Sequence, residues 1–426
     1  MNLRQIILLL ALLCVSGVTF GQSLERATPS ARDRGELDDL RMQGYEALFN
    51  LDYETANRAF KEMARLFPDH PAGPQCMAAT LWLQELNRSR HRQASLYSTE
   101  SFYPRGEKAD PQVVTQFHKW TRTATALAEA RLKRNRRDVE ALYFLGATEG
   151  LRAVFAAAVE QKFMSALTHS SRAVDRHREV LKLDPNFHDA KLSISMRDVI
   201  VGSLPLPMKI MASIGGVRGS KKRGLETLER VAKEGHWARG IARLLLIDLY
   251  KREKRWTEAL AMARELAERY PRNYLFRLQA ADALAARAAT SRRTKGASLA
   301  AASADLDEAF RIFDSLLQDR TKGKNSGGAV PGDLIHFRYG EVLLMAGQPQ
   351  RAAQAFRAAA DQIGGEPGLI TMARLRAAQS MDLSGRRREA LTEYNAVLQR
   401  PNFQRSYEEA SRGLREPYRM DDRGEK

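Results

Sequence analysis

The chain has 426 residues, 68 Lys and Arg against 51 Asp and Glu for a net charge of +17, 44% apolar content and a mean hydropathy of −0.44. With two cysteines it is not a disulfide scaffold, and without a second long apolar run it is not a polytopic membrane protein. Its apolar fraction supports a large folded core.

The first 21 residues read as an export address. Arg4 gives a positive start, Ile6 to Val15 is an unbroken apolar stretch, and Thr19 and Gly21 set small side chains ahead of Gln22, where cleavage is expected. The stretch is shorter than the ~20 residues of a membrane span, and Leu13 is too bulky for a lipobox built on Cys14. Cleavage would leave Cys76 as a single thiol, with no internal disulfide, and a mature charge of +16. The expected destination is the periplasm or peripheral cell envelope, with residues 22–37 as a flexible lead-in.

From Asp38 onward apolar residues recur with helical period, no segment alternates like a strand, and all fifteen Pro residues fall at breaks or in termini. The mature chain is therefore expected to be all-α. One frame recurs among the helices. Leu40-x3-Gly44 is followed by Tyr53, Ala56-x3-Phe60-x2-Met63 and Pro68; Gly340 and Gly347 by Ala352-x3-Phe356-x2-Ala359; Ala378 and Gly385 by Ala390-x3-Tyr394-x2-Val397. The frame closely resembles the tetratricopeptide repeat (TPR). Weaker copies at Thr123, Leu127 and Ala130; Ala173, His177 and Val180; Gly224, Leu228 and Val231; Ala259, Ala263 and Leu266; and Ala309, Phe313 and Leu316 bring the count to eight hairpins over residues 38–400.

That resemblance implies a right-handed TPR-like α-solenoid with a capping helix inside residues 401–416, near Ser406 to Leu414, and a tail at 417–426. Small residues let paired helices approach: Gly44 is expected to face Ala56 and Gly340 to face Ala352, with Phe60 and Phe356 filling the gap to the next hairpin. The segment 91–109, with Leu96, Tyr97, Phe102 and Tyr103, is too apolar for a plain linker and is expected to fold back onto the solenoid. The helix from Val139 to Val159 is apolar on nearly every side and reads as core. The stretch Gly215 to Tyr250, through Gly219, Gly224, Leu225 and Leu244 to Leu246, faintly resembles the eukaryotic inclusion-body-clearance TPR family, which implies another interaction role.

Catalytic and metal motifs are not found: there is no Cys-x2-Cys, His-Glu-x2-His or Gly-x-Ser-x-Gly. Gly215 to Gly224 departs from a phosphate loop, because Ser220 follows Gly219 where Lys should stand and no strand precedes it. No enzyme activity, cofactor or metal is expected. The reading is an exported, non-catalytic protein-interaction scaffold, with an envelope-surface or polyanion-binding protein, or an accessory subunit of an enzyme or secretion complex, as the alternatives. Export disfavours nucleic acid as a natural partner despite the charge.

Two surfaces are singled out. Turns within hairpins should emerge on one edge, and Lys221, Lys222, Arg223, Lys251, Arg252, Lys254, Arg255, Arg386, Arg387 and Arg388 would give that edge a basic ridge able to meet an anionic membrane surface. The second is the groove that the family lines with its first helices. The matching positions here include Arg41, Tyr45, Tyr143, Met196, Asp248, Asp282, Phe337, Glu341 and Gln379, with Asp382 one turn later. Carboxylate clamps of the family place Lys or Arg and Asn at these positions; Arg41 and Tyr45 fit that pattern partly and the later pairs do not, while three consecutive first helices carry an acid, so the groove is expected to hold a basic, partly apolar segment.

Overall fold

The computed structural model describes residues 31–88, 110–214, 218–294, 298–321 and 330–420. Among them there are helices and turns and no strand. Eight hairpins run in chain order: α1 Ala31–Phe49 with α2 Tyr53–Leu66; α3 Ala72–Arg88 with α4 Pro111–Arg134; α5 Val139–Ala158 with α6 Phe163–Leu183; and α7 Lys191–Gly202, followed by a short insertion α8 Leu206–Ile214, with α9 Lys221–Glu234. Then come α10 Arg239–Arg252, followed in the chain by α11 Trp256–Arg269; α12 Tyr274–Arg293 with α13 Leu299–Thr321; α14 Gly332–Met345 with α15 Pro349–Ala360; α16 Pro367–Leu383 with α17 Arg387–Leu398; and a final helix α18 Ser406–Arg415. This is a TPR-like all-α fold of about eight hairpins plus a terminal helix. The address segment, the apolar 91–109 stretch and the tail beyond 420 lie outside the described residues.

Local sequence sets the helix starts. Asp52, Asp110 and Asp138 accept from the backbone N–H of Thr55, Gln112 and Ala141, and Glu366 accepts from Gly368 and Leu369, each serving orphan donors of a first turn. Pro111 and Pro367 sit where a missing N–H does no harm. Four within-hairpin turns share one closure. The N–H of Asp52, Arg255, Gln348 and Arg386 reaches back to the carbonyls of Ala47, Tyr250, Leu343 and Met381 at 2.8–2.9 Å. The residue before each is left-handed: Leu51 (φ 62°), Lys254 (57°), Gly347 (74°) and Gly385 (75°). These are Schellman ends, for which glycine is the unstrained residue. Only two of the four turns carry it.

The chain divides into two compact units, one comprising residues up to 85 and 106–249, the other 86–105 and 250 onward. In the first, α1, α2, α3 and α5 share a core of Leu48, Phe60, Met63, Cys76, Met77, Tyr143 and Phe144, with Val180, Ala190 and Trp237 joining from farther along the chain. The apolar helix α5 is buried along most of its length, as its composition implied. In the second, Leu375, Ala378, Met381, Tyr394, Val397 and Ala410 tie α16, α17 and α18 together. The packing frame differs from expectation in one respect. Phe60 and Phe356 fill the space left by Gly44 and Gly340 in their own hairpins, where a Cβ at Gly340 would stand 2.7 Å from the Phe356 ring, and they also meet the next hairpin: Phe60 shares a core with Cys76 and Met77, and the Arg376 guanidinium lies over the Phe356 ring. The small residue of the first helix makes room for the ring of the second.

Candidate interaction surfaces

Three inner positions of the first unit, Arg41, Tyr45 and Tyr143, are turned to internal use. Tyr143, expected on an open groove, is 5% exposed and stacks on His177 with ring centroids 5.4 Å apart. His177 is itself held between the Tyr143 carbonyl at 3.1 Å and the Ser193 hydroxyl at 2.7 Å, and burial lowers its pKa to about 4. Tyr45 receives the Cys76 thiol at 3.7 Å and packs edge-on against Phe60. Burial pushes that thiol up to about 12, which leaves it protonated and unreactive. Arg41 donates to Asp38 at 3.1 Å and to the His236 carbonyl at 3.0 Å, and its guanidinium lies over the Trp237 ring. His236 meets Asp38 at 2.8 Å in return. Asp189 anchors this connector by accepting from the N–H of His236 and Ala238. The first hairpin is thus pinned to the start of α10, nearly 200 residues away in sequence. Met196 is half-buried, and Asp248 is exposed.

In the second unit the acids expected to receive a partner are joined to cations on neighbouring first helices. Asp282 is fully buried and paired with Arg338, itself 1% exposed, while Lys251 approaches the same carboxylate at 3.9 Å and donates to Gln279 at 2.6 Å. Three residues beyond Arg338, Glu341 grips Arg376 through two hydrogen bonds of 2.6 and 2.9 Å. Arg376 also donates to Gln379, and Gln379 to Glu409. Burial opposes the charge on Arg376, but the facing Glu341 outweighs it and holds the guanidinium above its ordinary range. The result is a polar ladder from Lys251 to Glu409. Phe337 is 5% exposed against Phe356, and the Asp382 carboxylate accepts from Arg387, from the Tyr394 hydroxyl and from the Tyr418 N–H. The expectation of a free acidic groove is therefore corrected at Asp282, Glu341 and Asp382: burying a carboxylate demands a partner cation or several donors, and the repeat supplies them from the next helix.

The basic edge is sorted in the same way. Lys251 is 8% exposed and belongs to the ladder, a second correction. Arg223 is held by Asp198, Arg255 by Glu258, Arg386 by Glu389 and Arg387 by Asp382. Lys221 is half-buried, whereas Lys222, Arg252, Lys254 and Arg388 are exposed. In the second unit, neighbouring within-hairpin turns do share an edge: the Trp256 indole N–H donates to Thr290 at 3.1 Å, and Arg292 donates to the Ala346 carbonyl at 3.3 Å.

The histidines of α6 that share a helical face are also engaged, His169 with Glu149 at 2.6 Å and His177 as described. Among the described residues there is no group of three His, Cys, Asp or Glu able to hold a metal ion. The partners Arg338, Arg376 and Asp189 were missed in the sequence reading. Arg338 and Arg376 carry one usable signal, a cation placed near an inner acid on the next first helix.

A family model described as "Tetratricopeptide repeat" matches residues 242–273, which cover most of α10 and all of α11. No curated protein matches the chain in sequence. Among solved structures, a human IFIT1 dimer with m7Gppp-AAAA is similar at 12% identity, over 89% of this chain and 85% of that one, with a TM-score of 0.45. Yeast Tom70 shows 12% identity over 87% and 86% of the two chains with a TM-score of 0.38. A tetratricopeptide repeat protein from Parabacteroides merdae shows 13% identity over 80% and 99% with a TM-score of 0.30. None of these likenesses bears on partner or activity. One matched repeat, together with a closing turn shared by four hairpins and a small-against-aromatic contact in the first and seventh, makes the fold similar to that of tetratricopeptide-repeat proteins.

Proposed function

We propose that the protein is a non-catalytic interaction scaffold of the cell envelope, exported by cleavage before Gln22, that binds an acidic segment of a partner protein along the within-hairpin turns of its second unit. The observation that supports this reading is the division of charge there. The acids Asp282, Glu341 and Asp382 are spent on internal pairs, whereas Arg252, Lys254, Arg293 and Arg388 stand exposed at turns. Complementarity with such a surface calls for an acidic partner, reversing the basic segment expected from the sequence. Neutralising the four exposed cations (Arg252→Gln, Lys254→Gln, Arg293→Gln, Arg388→Gln) tests it. The partner recovered by crosslinking in native envelopes should be lost and helix content retained, and recovery from the unsubstituted protein should fall as salt rises. Equal recovery with and without the four cations would refute the reading.

A further inference from the structure

The short helix α8 interrupts the fourth hairpin, and it stands apart from the stack. Met208, at 8% exposure, is its buried side chain among those described, while Leu206, Ile210 and Ile214 are 70, 54 and 83% exposed. At about 100° per residue these three form a stripe about 80° wide, and Met208 points almost directly away from it. The stripe is therefore the face of α8 turned from the protein. Pro207 and Ser213 border it, both exposed, and Ile200 at the end of α7 adds another exposed apolar side chain.

The segment that carries α8 has charges of one sign, with Asp198 and Glu226 just outside it. From residue 199 to 225 the chain carries Lys209, Arg218, Lys221, Lys222 and Arg223 and no Asp or Glu. Arg223 is neutralised by Asp198; Lys209 and Arg218 are exposed, and so is Lys222, whose ammonium lies 4.0 Å from the exposed Glu226. A nine-residue helix is only about 14 Å long, and no helix among the described residues is long and apolar enough to cross a membrane. An apolar stripe on so short a helix, with Lys209 on the helix and Arg218 and Lys222 following it in the chain, suits the boundary between acyl chains and anionic headgroups. We propose that α8 is a membrane-interface anchor: Leu206, Ile210 and Ile214 enter the headgroup and acyl boundary of an anionic bilayer while Lys209, Arg218 and Lys222 contact lipid phosphates. Pairing of α8 with a second copy is disfavoured, because it would bring the two sets of cations together.

Flotation or sedimentation of the mature chain with vesicles tests the anchor, using phosphatidylcholine alone and phosphatidylcholine with about one third phosphatidylglycerol. Binding is expected to the anionic vesicles, weakening as salt rises. L206S/I210S/I214S should lower the partition roughly thirtyfold or more without changing helix content or melting, because the three side chains are exposed. K209Q/R218Q/K222Q should weaken binding to anionic vesicles alone. The proposal is overturned if the mature chain stays unbound at low salt, or if the triple Ser variant binds like the parent. A concentration-dependent dimer abolished by the triple Ser change, without vesicle binding, would likewise overturn it in favour of a second copy as occupant.

Discussion

Replacing Asp282 by Asn removes one negative charge from the most buried part of the ladder and leaves the side-chain volume nearly unchanged. Asp282 is fully buried and Arg338 is 1% exposed, so water cannot take the place of the lost carboxylate. Breaking a buried pair from one side costs roughly 3–5 kcal/mol, chiefly because the remaining charge is left uncompensated. Here two cations, Arg338 and Lys251, lose the same carboxylate. Amide hydrogen exchange followed peptide by peptide suits a chain with two compact units, since it reads local opening instead of one global transition. Protection over α12 and α14 is expected to fall by roughly two to three orders of magnitude. Changing both partners to apolar residues, Asp282→Leu with Arg338→Met, should recover most of it, since a well-packed apolar pair often matches a buried ion pair. Protection unchanged within a few-fold in the Asn variant would refute the ladder as a stacking device.

The turn geometry gives a second expectation: Lys254→Gly should stabilise the second unit by about 1 kcal/mol by removing a Cβ from a left-handed residue, and Gly385→Ala should destabilise it by a similar amount. Thermal melts of the two variants check the opposite signs. Acid sensitivity is a third. His177 is neutral in the fold with a pKa of about 4 against 6.5, so between those values the unfolded chain alone takes up the proton. Stability should fall by about 3 kcal/mol as pH drops through that window and then level off, and His177→Gln should flatten the slope. Glu140 adds to the loss at lower pH: burial alone would raise its pKa, but His70 and Arg131 hold it at about 2, so its contribution is full above pH 4.5 and vanishes as pH falls through 2. A melting temperature constant from pH 7 to 4 would contradict the His177 assignment.

Helix type and repeat frame were legible because both rest on local spacing. The 3.6-residue period survives in every hairpin, and the pairing of Gly44 with Phe60, or Gly340 with Phe356, leaves a fixed interval in the sequence even though the facing partners were assigned differently. The surfaces were less legible. Inner-face acids look the same in sequence whether they await a partner or already hold one, and the answer lies in Arg338 and Arg376, which meet them only once successive hairpins stack. Lys251 sits in a run of cations that reads as solvent-facing, yet its own position on α10 turns it inward. The link from Asp38 and Arg41 to His236 spans too much sequence for any local pattern to show. The stripe on α8 went unnoticed because three apolar residues in an α-helical protein normally signify core, and exposure is a property of the packed chain.

The most direct test of the scaffold reading compares two faces of the second unit in the native envelope. A photocrosslinking residue is placed at Lys254 or Arg388 on the turns, or at Phe337 or Glu341 on the inner face. The account predicts one recurrent protein adduct from the turn positions, suppressed at high salt, and none from the inner positions. Adducts from Phe337 or Glu341 with none from the turns would contradict it and return the binding site to the groove.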